Sequence, residues 1–70
     1  MYEIIRIERI NDTVFRDTFN YTELDEAKTV YEKEKLKQIV VDIRLMEYTD
    51  DKNKKEICRF VRHNKKTKKD

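Results

Sequence analysis

The chain of 70 residues contains no glycine, no proline and no tryptophan, and it has a single cysteine, Cys58, and a single histidine, His63. Average usage would supply about 7% glycine and about 5% proline, so the absence of both carries information. Loops that cradle phosphate on glycine backbone are excluded. Tight turns must rely on Asn and Asp, which tolerate positive φ and hydrogen-bond to their own backbone. One cysteine cannot close an internal disulfide, and one Cys with one His cannot build a structural metal site. A chain this short buries only about 60% of the surface that its unfolded form exposes. Stability must come from four or five well-packed elements or in part from self-association.

Long apolar runs are also missing. No stretch approaches the roughly 20 apolar residues of a membrane span, and no apolar segment follows a basic start. The expectation is a cytoplasmic protein without a membrane partner.

What the chain does have is charge of both signs, with 17 Lys and Arg against 15 Asp and Glu. Such polarity can mean disorder, but here the apolar residues cluster: Ile39, Val40, Val41, Ile43, Leu45 and Met46 fall within one short stretch. Four Tyr and three Phe add large anchors. A folded domain is expected.

The periodicity changes along the chain. Residues 2–10 (YEIIRIERI) and 13–20 are β-branched or aromatic and flank Asn11-Asp12, which predicts a hairpin with a two-residue turn. On the first strand Ile5 and Ile7 point one way, and Ile4 and Ile10 share the other side with Arg6 and Glu8. Phe15 and Phe19 share one face of the second strand. Leu24, Ala27, Val30 and Tyr31 then form an apolar stripe at helical spacing. Two N-caps are open to this helix: Asn20 with Glu23 in a capping box, with Phe19 and Leu24 as a staple, or Thr22 with Asp25. Asp25–Lys28, Glu32–Lys35 and Glu34–Lys37 are spaced as ion pairs on its wet side.

Period 2 returns in QIVVDIRLMEYTDD, where Ile39, Val41, Ile43 and Leu45 form an apolar row. A polar loop (50–55) and EICRFVRH follow. The expected fold is α+β, in the order β-β-α-β-β: a four-stranded antiparallel sheet in the order 2-1-3-4 with one helix on one face. It would occupy residues 1–63, followed by a disordered basic tail, 64–70.

Catalysis finds little footing. His63 borders the tail with no cleft in prospect. Cys58 sits in a strand beside Phe60, where a small buried hydrophobe needs no reactive role. Asp50, Asp51, Asn53 and Glu56 lack the glycine, register and loop length of an EF-hand, and read as a solvated turn. The expectation is a protein that is not an enzyme and takes neither cofactor nor metal.

Two binding surfaces remain. Arg59, Arg62, Lys65, Lys66, Lys68 and Lys69 make the end of the chain basic, whereas residues 1–58 carry 11 basic and 14 acidic groups. Nucleic acid would therefore have to be held by the C-terminus alone, without aromatics for stacking beyond Phe60. This is the second reading. The first rests on the sheet face that a single helix cannot cover. If Ile5, Ile7, Ile39, Val41, Ile43, Leu45 and Phe60 face the helix, the other side shows Tyr2, Ile4, Ile10, Val40, Met46, Tyr48, Ile57 and Val61. Arg44 and Arg59 lie among them. Aromatics, Met and Arg mixed with aliphatics have the composition of an interface. Tyr2, Ile4, Val40, Arg44, Met46 and Tyr48 are the expected contact residues. They would serve a protein partner, or a second copy in a homodimer.

The stretch FNYTELDEAKTVYEKEK (Phe19 to Lys35) resembles the strand end, cap and helix start of short early proteins of bacteriophages and prophages of low-GC bacteria. No functional residue carries over from that resemblance. It implies a role: such proteins bind one host protein, of the transcription, replication, division or defence machinery, and inhibit or redirect it in the host cytoplasm.

Overall fold

The computed structural model describes residues 1–50 and 52–62. Its elements are β1 (Tyr2–Ile10), β2 (Thr13–Tyr21), α1 (Leu24–Lys35), β3 (Val40–Tyr48) and β4 (Lys54–Val61). They form one antiparallel sheet in the order β2-β1-β3-β4, with the helix on one face. The α+β class, the element order and the strand order are those expected from the sequence. The expected boundary at residue 63 and the tail 64–70 lie outside the described residues.

The first hairpin closes as its turn residues require. Asn11 takes φ 58°, a left-handed value that Asn tolerates better than most residues. With a two-residue turn, Ile10 meets Thr13, and the register then runs unbroken to Tyr2 opposite Tyr21. That register puts Ile4 opposite Phe19, and Ile4 also pairs with Leu45 of β3. The core is Ile4, Val40, Ile43 and Leu45 under Ala27 and Tyr31 of the helix, with Phe19, Leu24, Val30 and Phe60 packed around it. The predicted helical stripe is therefore the buried one.

The choice of sheet face is corrected by this core. Ile4 and Val40 have no exposed surface, so they belong beneath the helix and not on the open side. Tyr2 packs against the same core. Ile5 and Ile7 take the open face instead. The cause on β3 is a bulge: Ile7 pairs with Asp42 and Glu8 with Val40, which leaves Val41 as the extra residue. An extra residue reverses the alternation, so Val40 joins Ile43 and Leu45, while Ile39 is left exposed before the strand. A second irregularity leaves Ile57 of β4 unpaired between Cys58 opposite Leu45 and Glu56 opposite Met46. Ile57 consequently packs toward the core as well.

The helix ends also differ from expectation. Glu23 is the N-cap residue and makes no side-chain cap bond. Neither Asn20 nor Thr22 serves, because β2 continues through Tyr21 and Asn20 accepts the Tyr48 hydroxyl at 3.1 Å instead. At the other end Arg62 donates to the Lys35 and Lys37 carbonyls at 2.8 and 3.1 Å, and its Nε to Val40 O at 3.1 Å. A guanidinium there satisfies orphan carbonyls and complements the negative end of the helix dipole.

Candidate functional site

Residues directly opposite one another in an antiparallel sheet project to the same side. The registers therefore assemble the open face row by row. Thr18, Ile5, Arg44 and Arg59 form one row; Arg16, Ile7, Asp42 and Val61 form the next. Toward the opposite end Asn20, Glu3 and Met46 are joined by Glu56, then by Tyr48 beside Lys54. No element of the described residues lies over these side chains. Of the expected contact residues, this face brings together Arg44, Met46 and Tyr48. It does not hold Tyr2, Ile4 or Val40.

Its electrostatics are uneven. Arg59 donates to Asp42 at 2.9 Å, and that hydrogen bond, with the Asp42 charge, raises the Arg59 pKa. Lys54 pairs with Glu3 at 3.3 Å and also lies over the Tyr48 ring. Arg44 approaches Asp42 only at 3.8 Å and makes no hydrogen bond among the described residues. Arg16, one row away across Ile7, is exposed and makes no ion pair among the described residues. Ile5 and Ile7 thus sit between two cations with little to hold them.

An open cleft of about 360 Å³ lies at the Tyr48 end, lined by Glu47, Tyr48, Thr49, Asn53, Lys54 and Lys55. In the adjoining turn, Asp50 accepts the Lys52 and Asn53 backbone N–H groups and the Asn53 amide. The Lys52 bond leads in lowering its pKa. Those acceptors are engaged by the chain itself, which makes a turn and gives a metal ion no cluster: among the described residues, no three His, Cys, Asp or Glu side chains gather as ligands. Asp51 and His63 lie outside the described residues.

The helix-side face carries a different charge arrangement. Arg6 donates to Glu34 at 2.5 Å and to Asp17 at 2.8 Å, approaches Glu8 at 3.5 Å and lies over the Phe19 ring. Burial opposes its charged form, but the bonds to Asp17 and Glu34 with the nearby carboxylates outweigh it and raise the pKa. Burial likewise pushes Glu34 up, yet its bonds from Lys37 and Arg6 hold it below the ordinary value. The Glu34–Lys37 pair forms, and Glu34 also anchors helix to sheet through Arg6. Cys58 is a free, half-buried thiol on this face, near Tyr31, whose phenol is raised first by burial and then by that neighbour.

The basic C-terminus divides. Arg62 is bound to backbone carbonyls, whereas Arg59 donates one N–H to Asp42 at an exposed position. Lys65, Lys66, Lys68 and Lys69 lie outside the described residues.

One surface was not foreseen. Ile10, Val14 and Phe15 at the hairpin tip, and Ile39 and Leu36 at the helix-to-β3 connection, are all exposed. The Arg9 N–H donates to the Ile39 carbonyl at 2.8 Å, which places the connection beside the hairpin. The signal was the length of the hairpin: Phe15 pairs with Glu8, beyond the last helical turn that covers Arg6. No protein-family model, curated protein or solved structure matches the chain. No helix of the described residues is long and apolar enough to cross a membrane.

Proposed function

We propose that this chain is a non-enzymatic protein-binding module, of the kind phages use to inhibit or modulate a host protein, and that it docks through the open face of its sheet. The observation that carries the reading is the block formed by Ile5, Ile7 and Met46, uncovered by any described element and flanked by Arg16 and Arg44. An apolar patch beside Arg16, with no ion pair among the described residues, and Arg44, held only loosely by Asp42, fits a protein surface that is apolar at its centre and carries carboxylates at its rim. Tyr48 at one end and Arg44 within the block are the expected hot spots, as large groups that combine apolar area with a hydrogen-bonding tip.

The test is capture from host lysate, with and without nuclease, by the full chain and by a Met46→Asp/Tyr48→Ser variant, with circular dichroism on both. The expected result is a partner held by the parent chain and lost by the folded variant. Equal capture by both would remove the open face from the account. Capture that vanishes with nuclease would transfer the function to the basic C-terminus, whose binding should fall steeply with salt and disappear on truncation after Asn64.

A further inference from the structure

The two edges of the sheet are built unlike each other. Natural edge strands are guarded against pairing with other chains by lysines, prolines, bulges or short length. β4 follows that rule: it carries Lys54, Lys55 and Arg59, and its pairing is interrupted at Ile57. β2, TVFRDTFNY, does not. It runs nine residues, contains no Lys and no Pro, and holds one register against β1 from end to end. Its only charges, Arg16 and Asp17, cancel.

The backbone groups free on that edge can be identified. The Arg9 N–H and the Met1 carbonyl bond toward β3, so the odd positions of β1 serve β3 and the even ones serve β2. Through the hairpin register, Thr13, Phe15, Asp17, Phe19 and Tyr21 then face β1. Val14, Arg16, Thr18 and Asn20 present N–H and C=O outward, with no described element beyond them. Val14 and Phe15 also stand 57% and 45% exposed on this strand.

We propose that β2 is a self-pairing edge: two copies join antiparallel through β2 about a two-fold normal to the sheet, making one continuous eight-stranded sheet. Charge selects the register. Centring the two-fold on Arg16 or Asp17 would set like charges directly opposite, which is destabilising. Centring it on Thr18 avoids this and keeps the longest stretch then left, Phe15 to Tyr21. Thr18 then meets the partner subunit's Thr18, Arg16 meets the partner subunit's Asn20, and Phe15 meets the partner subunit's Tyr21. The outward groups of Arg16, Thr18 and Asn20 gain about six N–H···O bonds, and the exposed Phe15 gains an aromatic neighbour. A chain with no disulfide and, among the described residues, a core of only six buried side chains has reason to gain stability this way. The proposal stands on the edge strand and does not depend on the open-face reading.

The experiment is sedimentation equilibrium on the full chain, with two edge variants and the open-face double variant. The parent chain is expected at twice its 8.7 kDa. Thr18→Pro removes an outward N–H while sparing the β1 ladder, and Thr18→Lys installs the missing guard. Both should be folded monomers. Met46→Asp/Tyr48→Ser should remain a dimer. In a Cys58→Ser background, Thr18→Cys should cross-link on mild oxidation, as the register brings the two cysteines to a bridgeable separation. A monomeric parent, a dimer that survives Thr18→Lys, or a dimer broken by the open-face variant would each overturn the proposal.

Discussion

Arg6 and Arg44 lie one row apart on the two faces of the same sheet, and they are treated in opposite ways. The Arg6 side chain is 14% exposed and reaches Glu34, Asp17 and Glu8, with the Phe19 ring beneath it. Arg44 is 40% exposed and has only a 3.8 Å approach to Asp42. On the helix side, charge is used to hold an element down: the helix stripe is narrow, and the Glu34–Arg6 pair fastens its last turn where apolar residues run out. On the open side, Arg44 is held only loosely beside Ile5, while Arg59 and Lys54 pair with Asp42 and Glu3. The difference separates structural cations from available ones, which composition alone cannot do.

The sharpest break of that comparison lies in the core between the faces. Leu45→Ala should cost about 2–5 kcal/mol, because a fully buried side chain leaves a cavity. Arg44→Ala, its neighbour on the other side, should change stability by no more than about 0.5 kcal/mol. Urea unfolding of the pair measures both, and similar losses would mean that the open face is part of the core.

Removing Arg6 comes next. Arg6→Ala leaves Glu8 without its ion pair and Glu34 with Lys37 alone, both side chains being 12% exposed, and should cost about 2 kcal/mol. Glu34→Gln added to it should cost little more than the Lys37 pair, since the Arg6 bond is already gone; a double-mutant cycle reads the Arg6–Glu34 coupling. Additive losses would show that Arg6 acts by packing alone.

Acid should act through the same group. Glu34 titrates below its ordinary value in the folded chain, so its contribution is fully present above about pH 4.3 and is lost as pH falls through the folded value. The stability gap between the parent chain and Glu34→Gln should therefore close on the acid side of that pH. A gap unchanged at low pH would remove Glu34 from the linkage.

The sequence carried most of this architecture, and its one large error has an identifiable origin. Element order, strand order and the helix stripe follow from local period and from Asn11-Asp12. The buried face of β1 was also within reach: a two-residue turn sets Ile4 opposite Phe19, and Phe19 is the larger anchor. The alternation of Ile5 and Ile7 pointed the other way. Val40 was not legible, because its burial depends on the bulge at Val41, a product of long-range pairing that local alternation cannot contain. Of the expected contact residues, Arg44, Met46 and Tyr48 lie beyond both bulge effects and fall on the open face as read. The contacts of Arg62 are not legible for a related reason: a basic residue near a basic tail looks solvated until the fold brings helix carbonyls to it.

Arg62 therefore tests the boundary between structural and available charge within the C-terminus itself. Arg62→Ala should lose about 1 kcal/mol, a typical cap contribution, because the Lys35, Lys37 and Val40 carbonyls lose the guanidinium together, although Lys37 keeps the Val40 N–H. Arg59→Ala should lose less, since its single bond to Asp42 is made at an exposed position where screening is strong.

Little effect on stability is expected where the effect on binding is largest. Met46→Asp sets a carboxylate beside Glu3 and Glu56, its register partners, and Tyr48→Ser removes the hydroxyl that donates to Asn20. Neither side chain belongs to the buried core, so the double variant should lie within about 1 kcal/mol of the parent chain. The same change puts negative charge into the block that Arg16 and Arg44 border, and a partner with a carboxylate rim would be repelled by it. Arg44→Glu, which leaves the apolar residues in place, separates the two contributions. Loss of capture in both variants makes charge part of recognition; loss only in the first makes the apolar block sufficient.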